Sequence, residues 1–143
     1  MAQGFVEDYL LYLLARASHQ VSRRFHQRVK AAGLKVPEWR VLASLMDGDG
    51  HTVGDLAGIT LYQQPTLTKV LDGMATRGWI ERRTDAADGR RVRIHITAQG
   101  RKLTRGLVRE ARAHEAEVLQ GYDARAARAL KTTLKTLIER SSD

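Results

Sequence analysis

Apolar residues recur at helical spacing from Phe5 to Lys30, at Phe5, Tyr9, Leu13, Ala17, Val21, Phe25 and Val29, with charged and amide side chains elsewhere. The pattern predicts one long amphipathic helix, which Gly33 ends as a C-terminal cap. Pro37 sits where a second helix can start; Trp39, Val41, Leu42 and Leu45 form its apolar side, and the DGDG run from Asp47 to Gly50 breaks it. Thr52, with Asp55 three residues on, predicts an N-cap for a small third helix through Leu56 and Ala57 that Gly58 weakens and ends. Pro65 fits only a helix's first turn, and Leu67, Val70, Leu71 and Met74 then follow the i, i+3, i+4, i+7 rule until Gly78.

At Trp79 the period changes from helical to alternating. Trp79–Arg83 and Arg91–Ile96 have the length and alternation of two strands, the second with Val92, Ile94 and Ile96 inward and Arg91, Arg93 and His95 outward. The segment between them is a hairpin loop. Thr97 can cap a fifth helix with Leu103, Leu107, Ala111, His114 and Val118 on one side and a stop at Gly121. Asp123 caps a last helix carrying Ala127, Leu130, Leu134, Leu137 and Ile138.

Short helices joined by a tight turn and followed by a two-stranded wing give a mainly α (α+β) class, in the order of a winged helix-turn-helix. Such a unit lays its second helix in the major groove of DNA. Here the polar face of that helix carries Gln63, Gln64, Thr66, Thr68, Lys69 and Asp72. Glutamine can pair bidentately with adenine, a threonine methyl can touch the thymine methyl, and Lys69 suits a phosphate. The helix start at Gln64 and Pro65 adds backbone amides that favour an anion.

Charge changes the weight of that reading. Twenty-four lysines and arginines against 16 aspartates and glutamates give +8 and a sequence pI near 10.3, a field that attracts polyanions. In the hairpin loop, Arg90 can enter the narrow minor groove, and Asp88 can hold its fork in one direction. Asp85, Asp88 and Gly89 also have the plain chemistry of a turn. Arg91 adds a second cation beside Arg90.

Composition excludes several other classes. Without cysteine there is no disulfide scaffold, thiol nucleophile or Cys-ligated zinc. No Gly-rich phosphate loop, paired-carboxylate cluster or serine nucleophile motif marks an enzyme. The five histidines are scattered; His19 and His26 lie seven apart on one helix, but no dense acid cluster completes a metal sphere, so neither metal nor cofactor is expected. No apolar run approaches ~18 residues, and an acidic pair stands where a signal peptide carries positive charge, so the expected location is the cytoplasm, away from the membrane. One domain spanning residues 1–143 suits this length.

The segments VPEWRVLASL, TVGDLAG, QQPTLTKVLDGMATRGWIERR, DGRRVRIHIT and AQGRKL together resemble the MarR family of bacterial winged-helix regulators over nearly the whole chain. The most specific element is the Asp-x-Arg wing, Asp88 and Arg90, followed by a strand and Thr97. The resemblance implies a repressor that covers a pseudo-palindromic operator as a homodimer and lets go when a small ligand binds. Residues 36–97 would then form the DNA-binding region, and residues 5–33 and 98–140 the dimerisation helices. Pairing the terminal helices across a twofold axis would set two recognition helices roughly 34 Å apart. With about four phosphates neutralised per protomer, log affinity should fall against log salt with a slope near −7. The chain departs from many members in its lack of cysteine, which removes thiol oxidation, and in Gly89, Arg91 and Pro65.

A small-molecule site belongs where the dimer helices meet the DNA reader, because rotation there changes the spacing of the recognition helices. Tyr9, Arg16, His19, Arg23, Trp39 and Arg40, with Tyr12, supply aromatic walls and cations for an aromatic or carboxylate-bearing effector. Arg16, His19 and Arg23 share one helix face, whereas Tyr9 and Trp39 also sit at core-like positions. The alternatives are an architectural protein binding any duplex by charge, and a regulator that answers to no ligand. The polar face of the Gln64–Arg77 helix suits base reading better than phosphate coating.

Overall fold

In the computed structural model, residues 4–142 are described. Six α-helices and three strands are found among them, after a short 3-10 turn at Val6–Asp8: α1 (Leu10–Ala31), α2 (Val36–Asp47), β1 (His51–Thr52), α3 (Val53–Thr60), α4 (Gln64–Thr76), β2 (Ile80–Thr84), β3 (Val92–Ile96), α5 (Ala98–Val118) and α6 (Ala124–Arg140). The chain divides within α5, at Ala111/Arg112, into two compact units.

The first unit is built around a core of Val29, Val41, Leu42, Leu45, Leu56, Leu67, Leu71, Met74 and Ile94, all fully buried. Each such aliphatic side chain contributes about 1.5–3 kcal/mol by leaving water, so the α2–α3–α4 cluster is held mainly by these contacts. Local chemistry sets the ends of its helices. Gly33, at φ +85°, closes α1: its N–H donates to Lys30 O at 3.0 Å and the Leu34 N–H to Val29 O at 3.2 Å, which satisfies two carbonyls of the last turn. Pro37 occupies the first turn of α2, and the Glu38 carboxylate accepts the Lys35 N–H at 2.7 Å. Thr52 and Asp55 cap α3 reciprocally, each side chain accepting the other's backbone N–H at 3.1 Å.

Several details differ from the pattern reading. The first helix begins at Leu10, not Phe5, because Tyr9 is extended (φ −79°, ψ 124°) and breaks the ladder. Phe5 stacks on Tyr9 with ring centroids 4.8 Å apart, and of the apolar stripe only Phe25 and Val29 are buried, while Phe5, Tyr9, Leu13 and Val21 stay exposed. The third helix passes through Gly58 to Thr60 and stops at Leu61, which takes the left-handed conformation at φ +67°.

The sheet has a third strand. β1 pairs antiparallel with β3 (His51 opposite Ile94, Thr52 opposite Arg93), and β2 pairs with the other edge of β3 (Arg82 opposite Ile94, Ile80 opposite Ile96). Strand β3 is therefore central. Ile94 and Ile96 point inward as expected, but Val92 is exposed out along the wing, and Arg93 and His95 are half-buried by polar partners.

Thr97 joins the wing to α5. Its hydroxyl donates to Gly78 O at 2.6 Å and accepts the Gly100 N–H at 3.0 Å. Gly100 is required here, since a Cβ would lie 2.2 Å from the Trp79 carbonyl oxygen. In the second unit, Asp123 caps α6 by accepting the Ala126 N–H at 2.8 Å, and Lys131 pairs with Glu115. Leu130, Leu134 and Ile138 are exposed on α6.

Candidate nucleic-acid interface

Leu67, Leu71 and Met74 anchor α4 in the core, and this turns its other side to solvent: Gln63, Gln64, Thr66, Thr68, Lys69 and Asp72 are all exposed. Several of these groups have partners inside the protein. The Thr68 hydroxyl donates to Gln64 O at 2.9 Å, leaving its methyl and its lone pairs outward. The Gln64 carboxamide lies against the start of α3, 3.5 Å from where a Cβ on Gly54 would sit. Asp72 pairs with Arg82 of β2 at 2.5 Å, so its negative charge is balanced on the reading face. Gln63, Thr66 and Lys69 keep the freest side-chain ends of the set.

The wing loop is built by its two aspartates. Asp85 accepts the Ala87 N–H at 2.9 Å and the Arg93 Nε–H at 2.9 Å, and its own N–H donates to Arg91 O at 2.8 Å. The Ala87 amide and the Arg93 guanidinium hold its carboxyl below the ordinary carboxylate value. Asp88 accepts the Arg90 N–H at 3.1 Å, while its carboxylate stays 3.9 Å from Arg90 Nε. Asp88 thus holds Arg90 by its backbone and meets its fork only in a long ion pair. Gly89 takes no left-handed φ, and a Cβ there would meet nothing, so the turn does not depend on it. Arg91 is exposed and near enough to Asp55 of α3 to help keep that carboxyl low, after the Thr52 amide and hydroxyl that dominate its shift.

Behind the wing, Asp49 gathers a second network. It accepts the Ile96 N–H at 2.9 Å, faces His95 Nδ1 at 3.3 Å, and lies 3.5 Å from Arg101 on α5. Burial alone would raise its carboxyl; the Ile96 amide, His95 and the Gly50 amide outweigh that and hold it low.

The residues read as effector contacts scatter. His19 and Arg23 of α1 and Arg40 of α2 line one open groove of about 540 Å³, together with Ser22, His26 and Lys30. Tyr9, Arg16 and Trp39 do not line it: Tyr9 stacks on Phe5, Arg16 lies over the Tyr12 ring at 5.9 Å, and Trp39 packs edge-on against Phe25 at 5.1 Å. His26 and Lys30, absent from the expected set, follow His19 and Arg23 by seven residues each, the spacing that repeats a helix face. Arg40 lies over the Tyr62 ring at 5.5 Å and donates to its hydroxyl at 3.3 Å. No acid lines the groove, and burial, then Arg40, then Lys30 lower the pKa of His26 from 6.5. Among the described residues no group of three or more His, Cys, Asp or Glu could hold a metal, and no helix is long and apolar enough to cross a membrane.

Residues 32–91 match the MarR family. The transcriptional repressor IacR of Pseudomonas putida is 28% identical over 94 residues, which are 66% of this chain and 56% of that repressor, so the chain spans little more than half of its length. The transcriptional regulator HosA of Escherichia coli O157:H7 is 30% identical over 93 residues, 62% of this chain and 69% of HosA. A crystal structure of a MarR family transcriptional regulator from Silicibacter pomeroyi DSS-3 superposes with a TM-score of 0.87 at 41% identity, covering 98% of this chain and all (100%) of that one. These relatives are transcriptional regulators, not enzymes.

Proposed function

The chain belongs to the MarR family of transcriptional regulators, and we propose that it is a cytoplasmic, sequence-specific repressor that binds a pseudo-palindromic duplex as a homodimer. The observation that carries this reading is the pairing of an exposed polar α4 face with an arginine that leaves a braced turn. The Arg90 side chain is 97% exposed, and the loop that presents it is closed by Asp85 and Asp88. On α4, Gln63, Gln64, Thr66, Thr68 and Lys69 read or position; in the wing, Arg90 enters the minor groove, Arg91 adds phosphate affinity and Asp88 shapes the turn. Support for the dimer comes from apolar surface in each unit: Phe5, Leu10, Leu13 and Val21 at the N-terminal helix, Leu130, Leu134 and Ile138 on α6.

The groove between α1 and α2 is the candidate effector site. Five cationic or protonatable side chains, His19, Arg23, His26, Lys30 and Arg40, and no carboxylate favour an anionic effector, with Ser22 available to hydrogen-bond it.

Selection of bound duplexes from a random library, followed by fluorescence-anisotropy titration at fixed salt, tests the proposal. A selected inverted repeat should be preferred by ~10³ or more over unrelated duplex, with one dimer per site. Equal affinity for all duplexes would make the protein an architectural DNA coat. A preference that no anionic metabolite alters would leave a regulator without a ligand.

A further inference from the structure

Arg93 stands where an alternating strand calls for a solvated side chain, yet it is half-buried. It is the second residue of the central strand, opposite Thr52 of β1 and Arg83 of β2. Its guanidinium makes two hydrogen bonds in different directions: Nε to Asp85 Oδ2 at 2.9 Å, and Nη1 to the Gly50 carbonyl at 2.9 Å. Asp85 is the residue at which β2 becomes the wing loop, and its side chain is only 13% exposed. Gly50 lies at the entrance to the helix-turn-helix, two residues before the α3 cap. Its left-handed φ of +79° and its N–H bond to Ile94 O at 3.0 Å fix the direction of that carbonyl.

One planar cation therefore ties the root of the wing to the first turn of the DNA reader. A guanidinium spans the two acceptors because its donors diverge in a rigid plane; an ammonium is a single point of charge. Asp85 in turn braces Ala87 and Arg91 on either side of the tip. The Arg90 side chain has only a long ion pair to Asp88, 3.9 Å at Nε, so the direction in which it leaves the protein is set mainly by the backbone beneath it.

We propose that Arg93 is a positioning residue for DNA recognition: through Asp85 and Gly50 it holds the wing at the angle at which Arg90 reaches the minor groove. This rests on the reading of the protein as a DNA-binding regulator. Two other accounts of Arg93 make opposite predictions. As a direct phosphate contact, its loss would lower the salt dependence of binding by about one counterion per protomer whether or not Arg90 is present. As a charge beside DNA, Asp85 would repel phosphate, and its neutralisation would tighten binding.

The test measures duplex affinity against salt for the wild type, Arg93→Met, Asp85→Asn, Arg90→Ala and the Arg90→Ala/Arg93→Met double variant, using a selected duplex. Arg93→Met and Asp85→Asn should each weaken binding about tenfold, with a salt slope that falls no further than that of Arg90→Ala, and Arg93→Lys, measured beside them, should recover only part of the loss. In the Arg90→Ala background, Arg93→Met should cost almost nothing further, since the arm it aims is already gone. Tighter or unchanged binding by Asp85→Asn, a salt slope for the double variant below that of Arg90→Ala, or a full additional tenfold loss in the double variant overturns the proposal. Should Arg93→Met fail to fold, Asp85→Asn alone decides, because its sign is opposite under simple repulsion. A wild-type chain that binds no duplex removes the regulator reading itself, and the proposal with it.

Discussion

Asp88 accepts the Arg90 backbone N–H at 3.1 Å, while the guanidinium of the same arginine, 3.9 Å away at Nε, extends into solvent. The acid shapes the turn and holds the arm only by a long ion pair, which a phosphate can replace. Arg90→Ala should accordingly weaken duplex binding by about 1–3 kcal/mol and reduce the salt slope by about one per protomer, with no loss of thermal stability. Asp88→Asn retains an acceptor oxygen for the turn, so its affinity should equal or exceed that of the wild type. A mobility-shift or anisotropy titration across salt concentrations checks both; unchanged Arg90→Ala binding takes the wing out of recognition.

The Thr52–Asp55 box is a stability element beneath the reader. Thr52→Ala removes the acceptor for the Asp55 N–H and should cost about 1 kcal/mol in urea unfolding, whereas Thr52→Ser should restore most of it. An unchanged midpoint for Thr52→Ala means that α3 is held by Leu56 alone.

Much of this architecture is legible because it is local. Pro37, Thr52, Pro65 and Gly33 act on the turn they stand in, so helix starts and the α1 stop follow from single residues. The exposed face of α4 follows in the same way, from where Leu67, Leu71 and Met74 must go. What stayed hidden depends on partners far along the chain. Strand β1 is two residues long, too short for any periodicity, and exists because Gly50 turns His51 and Thr52 onto Ile94 and Arg93. Arg93 reads as a solvated strand residue until Asp85 and the Gly50 carbonyl are brought to it. The groove needs Arg40 of α2 beside α1, whereas His26 and Lys30 were available from the seven-residue spacing alone. Gly58 as the end of α3 failed because a glycine weakens a helix without having to stop it, and the left-handed stop fell on a leucine.

Leu61 makes that point measurable. A leucine at φ +67° is strained by roughly 1–2 kcal/mol relative to glycine, and the residue is 83% exposed, so it returns little by burial. Glycine would lose about 0.4–1 kcal/mol through the greater freedom of the unfolded chain. The first effect is larger, and Leu61→Gly should stabilise the protein by about 0.5 kcal/mol in chemical denaturation. A destabilised variant would reveal a contact that the exposed side chain makes in solution, most simply with a second copy of the chain.

His26 gives the proposed effector groove a pH signature. Burial, then the Arg40 and Lys30 charges, hold its pKa below 6.5 in the folded protein. The unfolded chain therefore binds more protons between the folded value and 6.5. Its contribution to stability is present above 6.5 and is lost as pH falls through that window. The groups facing the groove with it, His19, Arg23, Lys30 and Arg40, are all cationic or protonatable, so no carboxylate reverses the sign. An anion entering the groove offsets the repulsion and raises the His26 pKa, so binding takes up a proton. Benzoate, whose charge is constant over this range, should bind more tightly at pH 5.5 than at pH 7.5, by about a few-fold. His26→Gln should flatten that dependence while Arg23→Ala lowers affinity at both pH values, with titration calorimetry as the measurement. Affinity for benzoate that is independent of pH in the wild type would place the anion elsewhere on the molecule.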